Sequence, residues 1–342
     1  MRSSVRYALA LAVVVLAVGI YALTKKSSPK AAAPTTTTTV KPAVPIAPLT
    51  GLPDPGGAAL SRPALTVKIE NDTNALPQFG IDQADVLYEE IVNGGITRLA
   101  AIFNQNAPAK VGPVRSVRPT DTQIVWPLGG IFAYSGGAPY AVNSIATAPV
   151  KLLDESSAGG AMFRDPNRVA PYNLYASAAG LFSFKGTPTP PPHLFTYRTA
   201  SAVVPGVAVK SVYVPFPSIY GELWTWNPTL HGWVRSRPAL ISNYGLHDIT
   251  GTGAVEAPKN VIVEMVPYVN GTLGSFYNHA DLVGSGPVDI FTAGHEITGT
   301  WKRSALGTIT QYVDASGKPI ALTPGQTWID LLNEGATPTV TH

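Results

Sequence analysis

The fold class is decided by LTVKIEN (65–71), VLYEEIV (86–92) and ITRLAAIF (96–103), three short runs rich in β-branched residues. Runs of this length, bounded by Gly and Pro, predict strands rather than helices. The second and third flank Asn93-Gly94-Gly95, a turn sequence that predicts a β-hairpin. A further run, IFAYS (131–135), continues the strand-like pattern toward the C-terminus.

Helical signals are few in this part of the chain. They cover Thr120–Trp126, which follows a proline, Tyr140–Ala146 and Ala176–Phe182. Strands combined with a few helices predict an α+β domain with a mixed or antiparallel sheet over residues 49–186.

The second half of the chain has a different pattern. PTPPP (188–192) is a rigid break, and short strand-like runs with regular spacing follow it. This pattern predicts a β-rich C-terminal lobe over residues 205–335. Its predicted strands are 212–214, 222–226, 232–235, 260–266, 288–291 and 297–302.

The N-terminus carries a membrane signal. Residues 7–23 are uncharged, and a helix of that length covers about 25 Å, which just spans a bilayer. Arg2 and Arg6 precede it and favour a cytoplasmic N-terminus. Residues 1–26 therefore predict a single-pass membrane anchor, with a cleaved signal peptide as the alternative; both place the folded part outside the cytoplasm. Residues 27–48, rich in Thr, Pro and Ala, predict a disordered linker.

Charge and residue usage exclude several classes of function. Six of the 24 Lys and Arg residues precede residue 42, and all 21 acidic residues follow it. The body that follows therefore has 18 basic and 21 acidic residues, a net charge of −3. An acidic body disfavours a nucleic-acid partner. The sequence contains no Cys, which excludes disulfides, thiolate metal sites and Cys catalysis. The six His lack metal-site spacing, so we expect no metal and no cofactor.

Arginines dominate the candidate binding residues. KVGPVRSVRPTD (110–121) places two arginines three apart before a predicted helix start, where guanidinium groups and free backbone N–H groups favour an anion. Another arginine follows the hairpin turn, and two more lie in MFRDPNRVAPYNLY (162–175). If the fold brings them together, they form a pocket for an anionic ligand. The candidate residues are Arg98, Arg115, Arg118, Arg164 and Arg168.

Two other interpretations of the charged residues stay open. The arginines can form structural ion pairs with Glu70, Asp85, Glu89, Glu90, Asp121 and Asp165. Alternatively, Asp85 and Glu89 can act as acid or base in a hydrolase, whereas Glu89 and Glu90 point to opposite faces of a strand and cannot act as a pair. Trp224 and Trp226 share one strand face, where they either stack on sugars or pack in the core.

Several segments together resemble one family. They are PLTGL (48–52), VKIEN (67–71), ADVLYE (84–89), GGITR (94–98), GPVRSVR (112–118) and RD through APYNLY (164–175), with weaker matches at 260–263, 299–302 and 325–329. The chain thus resembles the YerB-like lipoprotein family of exported bacterial envelope proteins, which carry an N-terminal and a C-terminal domain of unknown function. Two departures stand out: the lipid-modified Cys is missing, and Tyr172 stands where relatives are expected to have His.

The sequence as a whole predicts a membrane-anchored, extracytoplasmic cell-envelope protein that binds an anionic envelope ligand without catalysis. An alternative is a hydrolase or transferase acting on cell-wall glycan or phosphodiester links. Another is a scaffold for cell-wall enzymes, which requires an exposed apolar patch. The expected partners are the membrane, through the N-terminal helix, and an anionic wall polymer or other envelope proteins.

Overall fold

A computed structural model describes residues 44–240 and 250–342. The predicted anchor, 1–26, and the linker up to residue 43 lie outside the described residues. Within the described ranges, no helix combines the length and the apolar character needed to cross a membrane. The folded part begins slightly before residue 49, because Ala47 is buried and its N–H donates to the carbonyl of Leu52 over 2.9 Å.

Strands form most of the regular structure. In chain order they are β1 Leu65–Glu70, β2 Val86–Ile91, β3 Thr97–Phe103, β4 Ile131–Ala133, β5 Lys151–Leu153, β6 Met162–Arg164, β7 Leu174–Ala176, β8 Val207–Ala208, β9 Ser211–Val214, β10 Glu222–Asn227, β11 Gly232–Ser236, β12 Asn260–Val266, β13 Tyr268–Val269, β14 His279–Ala280, β15 Gly284–Thr292, β16 His295–Arg303, β17 Gln311–Val313, β18 Thr327–Asn333 and β19 Thr339–Thr341. Every strand predicted above is present among them.

Helices are short in the described part of the chain. They are α1 Ala58–Ser61, α2 Pro119–Val125, α3 Pro139–Ile145 and α4 Ala178–Phe182. The last three lie within two residues of the predicted helices. Single 3₁₀ turns occur at Thr73–Ala75, Ile81–Gln83, Asn93–Gly95, Gly159–Ala161 and Pro238–Leu240.

One large mixed sheet organises the fold. Its strand order is β17-β16-β15-β12-β18-β2-β3-β1-β4-β5, with β8 added beside β16. The predicted hairpin is confirmed, because β2 and β3 pair antiparallel around Asn93–Gly95. A second sheet has the order β11-β10-β9-β19. The predicted mixed sheet is thus present, with few helices beside it.

The large sheet runs through both predicted halves of the chain. Strand β18 pairs in parallel with β12 of the second half and with β2 of the first, and this pairing joins them. The sequence analysis missed β18, although TWIDLLN (327–333) is the mostly apolar run typical of a buried parallel strand.

Two layers cover the large sheet. On one face, Ile69 and Leu99 pack with Trp224 and Trp233 of the small sheet and with Leu181 of α4. On the other face, Ala100 and Ile102 pack with Ile124 of α2 and Ile145 of α3, among other residues. The central strands are therefore buried on both sides, so a charged residue on either face must have a partner or an opening.

Candidate functional site

A row of charged residues crosses the centre of the large sheet. The register places Arg98 of β3 opposite Glu70 of β1 and opposite Glu90 of β2. Directly opposite residues share one face of a sheet, so these three side chains lie side by side. All three are buried.

The loop before α2 carries two more arginines to this row. The N–H of Arg115 donates to the carbonyl of Lys68 on β1 over 2.8 Å, and the N–H of Val114 donates to Leu174 over 2.7 Å. Gly112 starts the loop with a φ of +140°, where an added Cβ would lie 2.8 Å from the nitrogen of Val114. The loop path thus requires glycine at position 112.

Three arginines meet here, and we call Arg98, Arg115 and Arg118 the arginine cluster. The first two bind one carboxylate: Nη2 of Arg98 and Nε of Arg115 donate to Oε2 of Glu70 over 3.1 and 2.6 Å. Burial alone would raise the pKa of Glu70, but the two guanidinium groups outweigh it and lower the pKa. Nη1 of Arg98 also donates to the carbonyl of Ser116 over 3.2 Å.

Arg118 lies at the start of α2 and is less fully engaged. Its Nη2 donates to Oδ1 of Asn93 over 2.7 Å and its Nη1 to its neighbour Val117 over 2.9 Å. Its buried Nε has no hydrogen-bond partner among the described residues. Burial, followed by the charge of Arg98, lowers the pKa of Arg118. An oxyanion bound at the exposed part of Arg115 would offset the repulsion between the guanidinium groups.

A buried ion network supports the arginine cluster from below. Lys68 bonds to Glu90, and its Nζ donates to Oδ1 of Asp121 over 2.8 Å. Oδ2 of Asp121 accepts the N–H of Arg118 over 2.7 Å, which caps α2. Burial raises the pKa of Asp121 to about 6. Because both oxygens of Asp121 are engaged, its role is to hold the helix start in place.

Tyr172 forms one side of the site. The guanidinium carbon of Arg115 lies 5.6 Å from the centre of its ring. Its hydroxyl interacts with Asp72, whose carboxylate also accepts the hydroxyl of Tyr220 over 3.2 Å. The side chain of Arg115 is 25% exposed, so it reaches solvent beside this ring. Asp72 therefore places a negative charge on the Tyr172 side of Arg115.

The other two predicted arginines bind different groups. Arg164 forms an exposed pair with Glu155 and donates to Oδ1 of Asn173 over 2.9 Å. Arg168 donates to backbone carbonyls of Asn74, Leu76 and Pro77, with 2.8 Å to Asn74. Arg168 thereby ties the segment that carries Tyr172 to the end of β1.

The proposed acid and base residues bind groups outside the arginine cluster. Oδ2 of Asp85 accepts the N–H groups of Asn104 and Gln105 over 2.5 and 2.8 Å, and burial raises its pKa to about 7. Glu89 lies on the opposite sheet face from Glu90, as predicted, and its Oε2 accepts Nη2 of Arg235 over 2.9 Å. Both carboxylates therefore have structural partners.

A buried carboxylate cluster surrounds Arg235. Glu89, Glu222 and Asp330 have oxygens within 4.8 Å of one another, a separation that suits a metal ion. However, Arg235 bonds to both glutamates, and the indoles of Trp224 and Trp328 each donate to Asp330 over 3.0 Å. The guanidinium thus fills the place of a cation. Trp224 is fully buried, so it packs in the core and does not present a sugar-stacking face.

Sequence reasoning missed Arg235, Glu222 and Asp330, because Glu89 and Asp330 lie far in sequence from the β10–β11 hairpin that carries Glu222 and Arg235. The alternation in ELWTWN (222–227) was the available signal, since Glu222 and Trp224 share one face of that strand. An acid on the same face as a buried Trp indicates a buried polar partner.

Comparison with known proteins finds two matching descriptions, one for each half of the chain. Residues 49–186 match the description "Protein of unknown function (DUF3048) N-terminal domain", and residues 212–329 match the C-terminal domain of the same family. A relative from Bacillus subtilis (strain 168), described as "Putative lipoprotein YerB", is 28% identical over 294 residues. That match covers 84% of this chain and 86% of the relative.

The fold also matches a solved structure. The crystal structure of the YerB protein from Bacillus subtilis has a TM-score of 0.74 and 23% identity, covering 87% of this chain and 100% of that chain. The predicted resemblance to YerB-like proteins is therefore confirmed. With both of its domains matched in order, the chain belongs to the DUF3048 family.

Proposed function

We propose that this is an extracytoplasmic protein of the cell envelope that binds an anionic envelope ligand at the arginine cluster without catalysing a reaction. The observation that carries the proposal is that Arg98 links the other two arginines, because it shares Glu70 with Arg115 and its charge acts on Arg118. Arg115 reaches solvent there, and the partly buried Arg118 is held by Asn93. A phosphate or carboxylate group offers the acceptor oxygens that such donors require.

The charge balance of the surrounding groups supports this ligand class. Four positive groups stand against three negative ones in the row and at the helix start: Arg98, Arg115, Arg118 and Lys68 against Glu70, Glu90 and Asp121. Asp72, beside Tyr172, adds a fourth negative group, so the site is neutral on a body with a net charge of −3 and is a more favourable place for an anion than the body as a whole.

Location follows from the sequence and the relative. The relative carries "lipoprotein" in its description, whereas this sequence has no Cys to receive a lipid. We propose that the hydrophobic segment in residues 1–26 provides the membrane attachment instead, as a single-pass anchor. The folded part would then lie outside the cytoplasm.

The structure offers less support for a hydrolase. The two carboxylates considered for acid and base roles, Asp85 and Glu89, are held by backbone N–H groups and by Arg235. A carboxylate that acts on a ligand at the arginine cluster would have to face it.

Thermal unfolding of the full-length protein with inorganic phosphate and with a glycerol phosphate oligomer tests the proposal. A ligand at a hundredfold excess over its Kd adds about 2.7 kcal/mol to stability. We expect this gain in the wild type and its loss in Arg115→Ala/Arg118→Ala. Arg164→Ala is the matched control, because it removes an exposed arginine elsewhere and should leave the gain unchanged. Equal gains in all three proteins would refute the proposal.

A further inference from the structure

An aromatic rim lies beside the arginine cluster, formed by Tyr140, Phe276 and Tyr277. Phe276 is 54% exposed and Tyr277 58% exposed, which is unusual for large aromatic side chains in a folded domain. Ring centroids are 4.7 Å apart for Tyr140 and Tyr277 and 5.3 Å for Phe276 and Tyr277. The rings pack on each other, so a ligand would lie on their outer faces.

The loop that carries Phe276 and Tyr277 is fixed to the body, and Tyr140 comes from α3. Buried Asn278 accepts the N–H of Gly274 over 3.1 Å and donates to the carbonyl of Val269 over 3.0 Å. The carbonyl of Gly274 accepts the N–H of Gly94 over 2.8 Å, and Tyr140 donates to the carbonyl of Phe276. Two exposed rings held in place by these bonds form a preorganised surface, which reduces the entropy lost on binding.

A cavity of about 500 Å³ lies against the rim. Tyr140 and Tyr277 line it together with polar side chains, among them Gln123, Ser144, Asn270 and His279. Aromatic walls combined with several hydrogen-bonding groups suit a ligand that has both an apolar face and polar edges. A pyranose ring has this combination, with C–H groups on its face and hydroxyl groups around its edge.

The cavity adjoins the arginine cluster. Pro119, which follows Arg118 directly in sequence, lines the cavity, and the charge of Arg118 acts on the hydroxyl of Tyr140. One extended ligand can therefore place an anionic group at Arg118 and a sugar ring against Tyr277.

We infer that this cavity is a glycan subsite, and that the anionic ligand is a sugar-containing polymer. The identity of the polymer rests on the proposed function, but the sugar contact itself does not depend on the arginines. Tyr277 provides the stacking face, and polar side chains of the cavity such as Asn270 bind the sugar hydroxyls.

Calorimetric titration of the full-length protein with a neutral N-acetylglucosamine tetramer tests the inference. We expect binding that Tyr277→Ala weakens by up to about tenfold. Phe163→Ala, which truncates a 39% exposed ring on β6, should leave the Kd unchanged.

The outcomes separate the two proposals. If the tetramer binds as described but inorganic phosphate does not, the arginine proposal fails and the glycan subsite stands. If the tetramer does not bind, or binds Tyr277→Ala as tightly as the wild type, the glycan subsite is refuted. Selective cross-linking of another envelope protein at position 277, without saccharide binding, would instead assign the rim to a protein partner.

Discussion

Nε of Arg115 donates to Oε2 of Glu70 over 2.6 Å, although Glu70 is 1% exposed and Arg115 is 25% exposed. A buried carboxylate thus holds an arginine that reaches solvent. The same carboxylate binds Arg98, so Glu70 orients two of the three guanidinium groups and also competes with any external anion for them. This double role makes Glu70 informative to substitute.

Glu70→Gln should separate stability from ligand binding. Removing the charge leaves Arg98 buried without its carboxylate, which should destabilise the fold by about 3 kcal/mol. Phosphate affinity should rise, because the competing negative charge is gone. Urea denaturation measures the first effect and calorimetric titration the second. Weaker phosphate binding in a folded Glu70→Gln protein would show that Glu70 is needed only to shape the site.

The stability difference between the wild type and Glu70→Gln should also depend on pH. The two arginines lower the pKa of Glu70 below its ordinary value of 4.5. A lowered pKa contributes stability that is present above pH 4.5 and is lost as the pH falls through the folded-state pKa. Denaturation of both proteins at several pH values should show the difference shrinking only on the acid side.

For Asp85, stability should depend on pH in the opposite direction to Glu70, and Asp85→Asn should remove that dependence. Burial raises the pKa of Asp85 from 3.8 to about 7, so the folded state binds the proton more tightly than the unfolded state. Wild-type stability therefore falls as the pH rises from about 4 to about 7, and then levels off. Asparagine keeps an acceptor for the N–H groups of Asn104 and Gln105 and does not titrate. Its stability relative to wild type should rise by about 1.4 kcal/mol per pH unit in that window, and a pH-independent difference would contradict this account.

The strands of the central sheet could be predicted from sequence, but the strands that each one pairs with could not. Alternation and turn residues indicate a strand and a hairpin locally, which is why β1, β2 and β3 lie where expected. The parallel pairing of β18 with β2 joins residues 327–331 to 86–90, and no local pattern specifies a partner so distant.

For the candidate site, too, the sequence predicts which residues lie close together only where they share one short segment. Arg115 and Arg118 share one short segment, so their proximity follows from sequence. Arg98 joins them only because β3 pairs with β1, and Arg164 shows that a similar local context does not ensure the same place. The pairing of Glu89 with Arg235 spans 146 positions and depends on packing the small sheet against the large one.

Arg235→Met should destabilise the protein by about 3–5 kcal/mol, because it leaves Glu89, Glu222 and Asp330 buried without their guanidinium partner. Urea denaturation provides the measurement, with Arg164→Met as a control that should change stability by less than about 1 kcal/mol. An increase of several degrees in the wild-type Tm on adding Ca²⁺ or Mg²⁺ would instead identify the carboxylate cluster as a metal site.

Gly112→Ala should disturb the loop that carries Arg115. A methyl group at φ +140° would lie 2.8 Å from the nitrogen of Val114 and 3.1 Å from the carbonyl oxygen of Leu174. We expect a loss of about 2 kcal/mol in stability and weaker phosphate binding, measured by unfolding and titration. Gly160→Ala is the control, because an added Cβ meets nothing within 4 Å there. Unchanged phosphate binding in Gly112→Ala would mean that the loop does not position the arginines.

The most direct test of the central claim is the Kd of the full-length protein for a glycerol phosphate oligomer, compared between wild type, Arg115→Ala/Arg118→Ala and Arg164→Ala. We expect an affinity that the double variant lowers by at least about a hundredfold and that Arg164→Ala leaves unchanged. Equal affinity in all three proteins, with the double variant still folded, would contradict it and assign the arginine cluster to structural ion pairing alone.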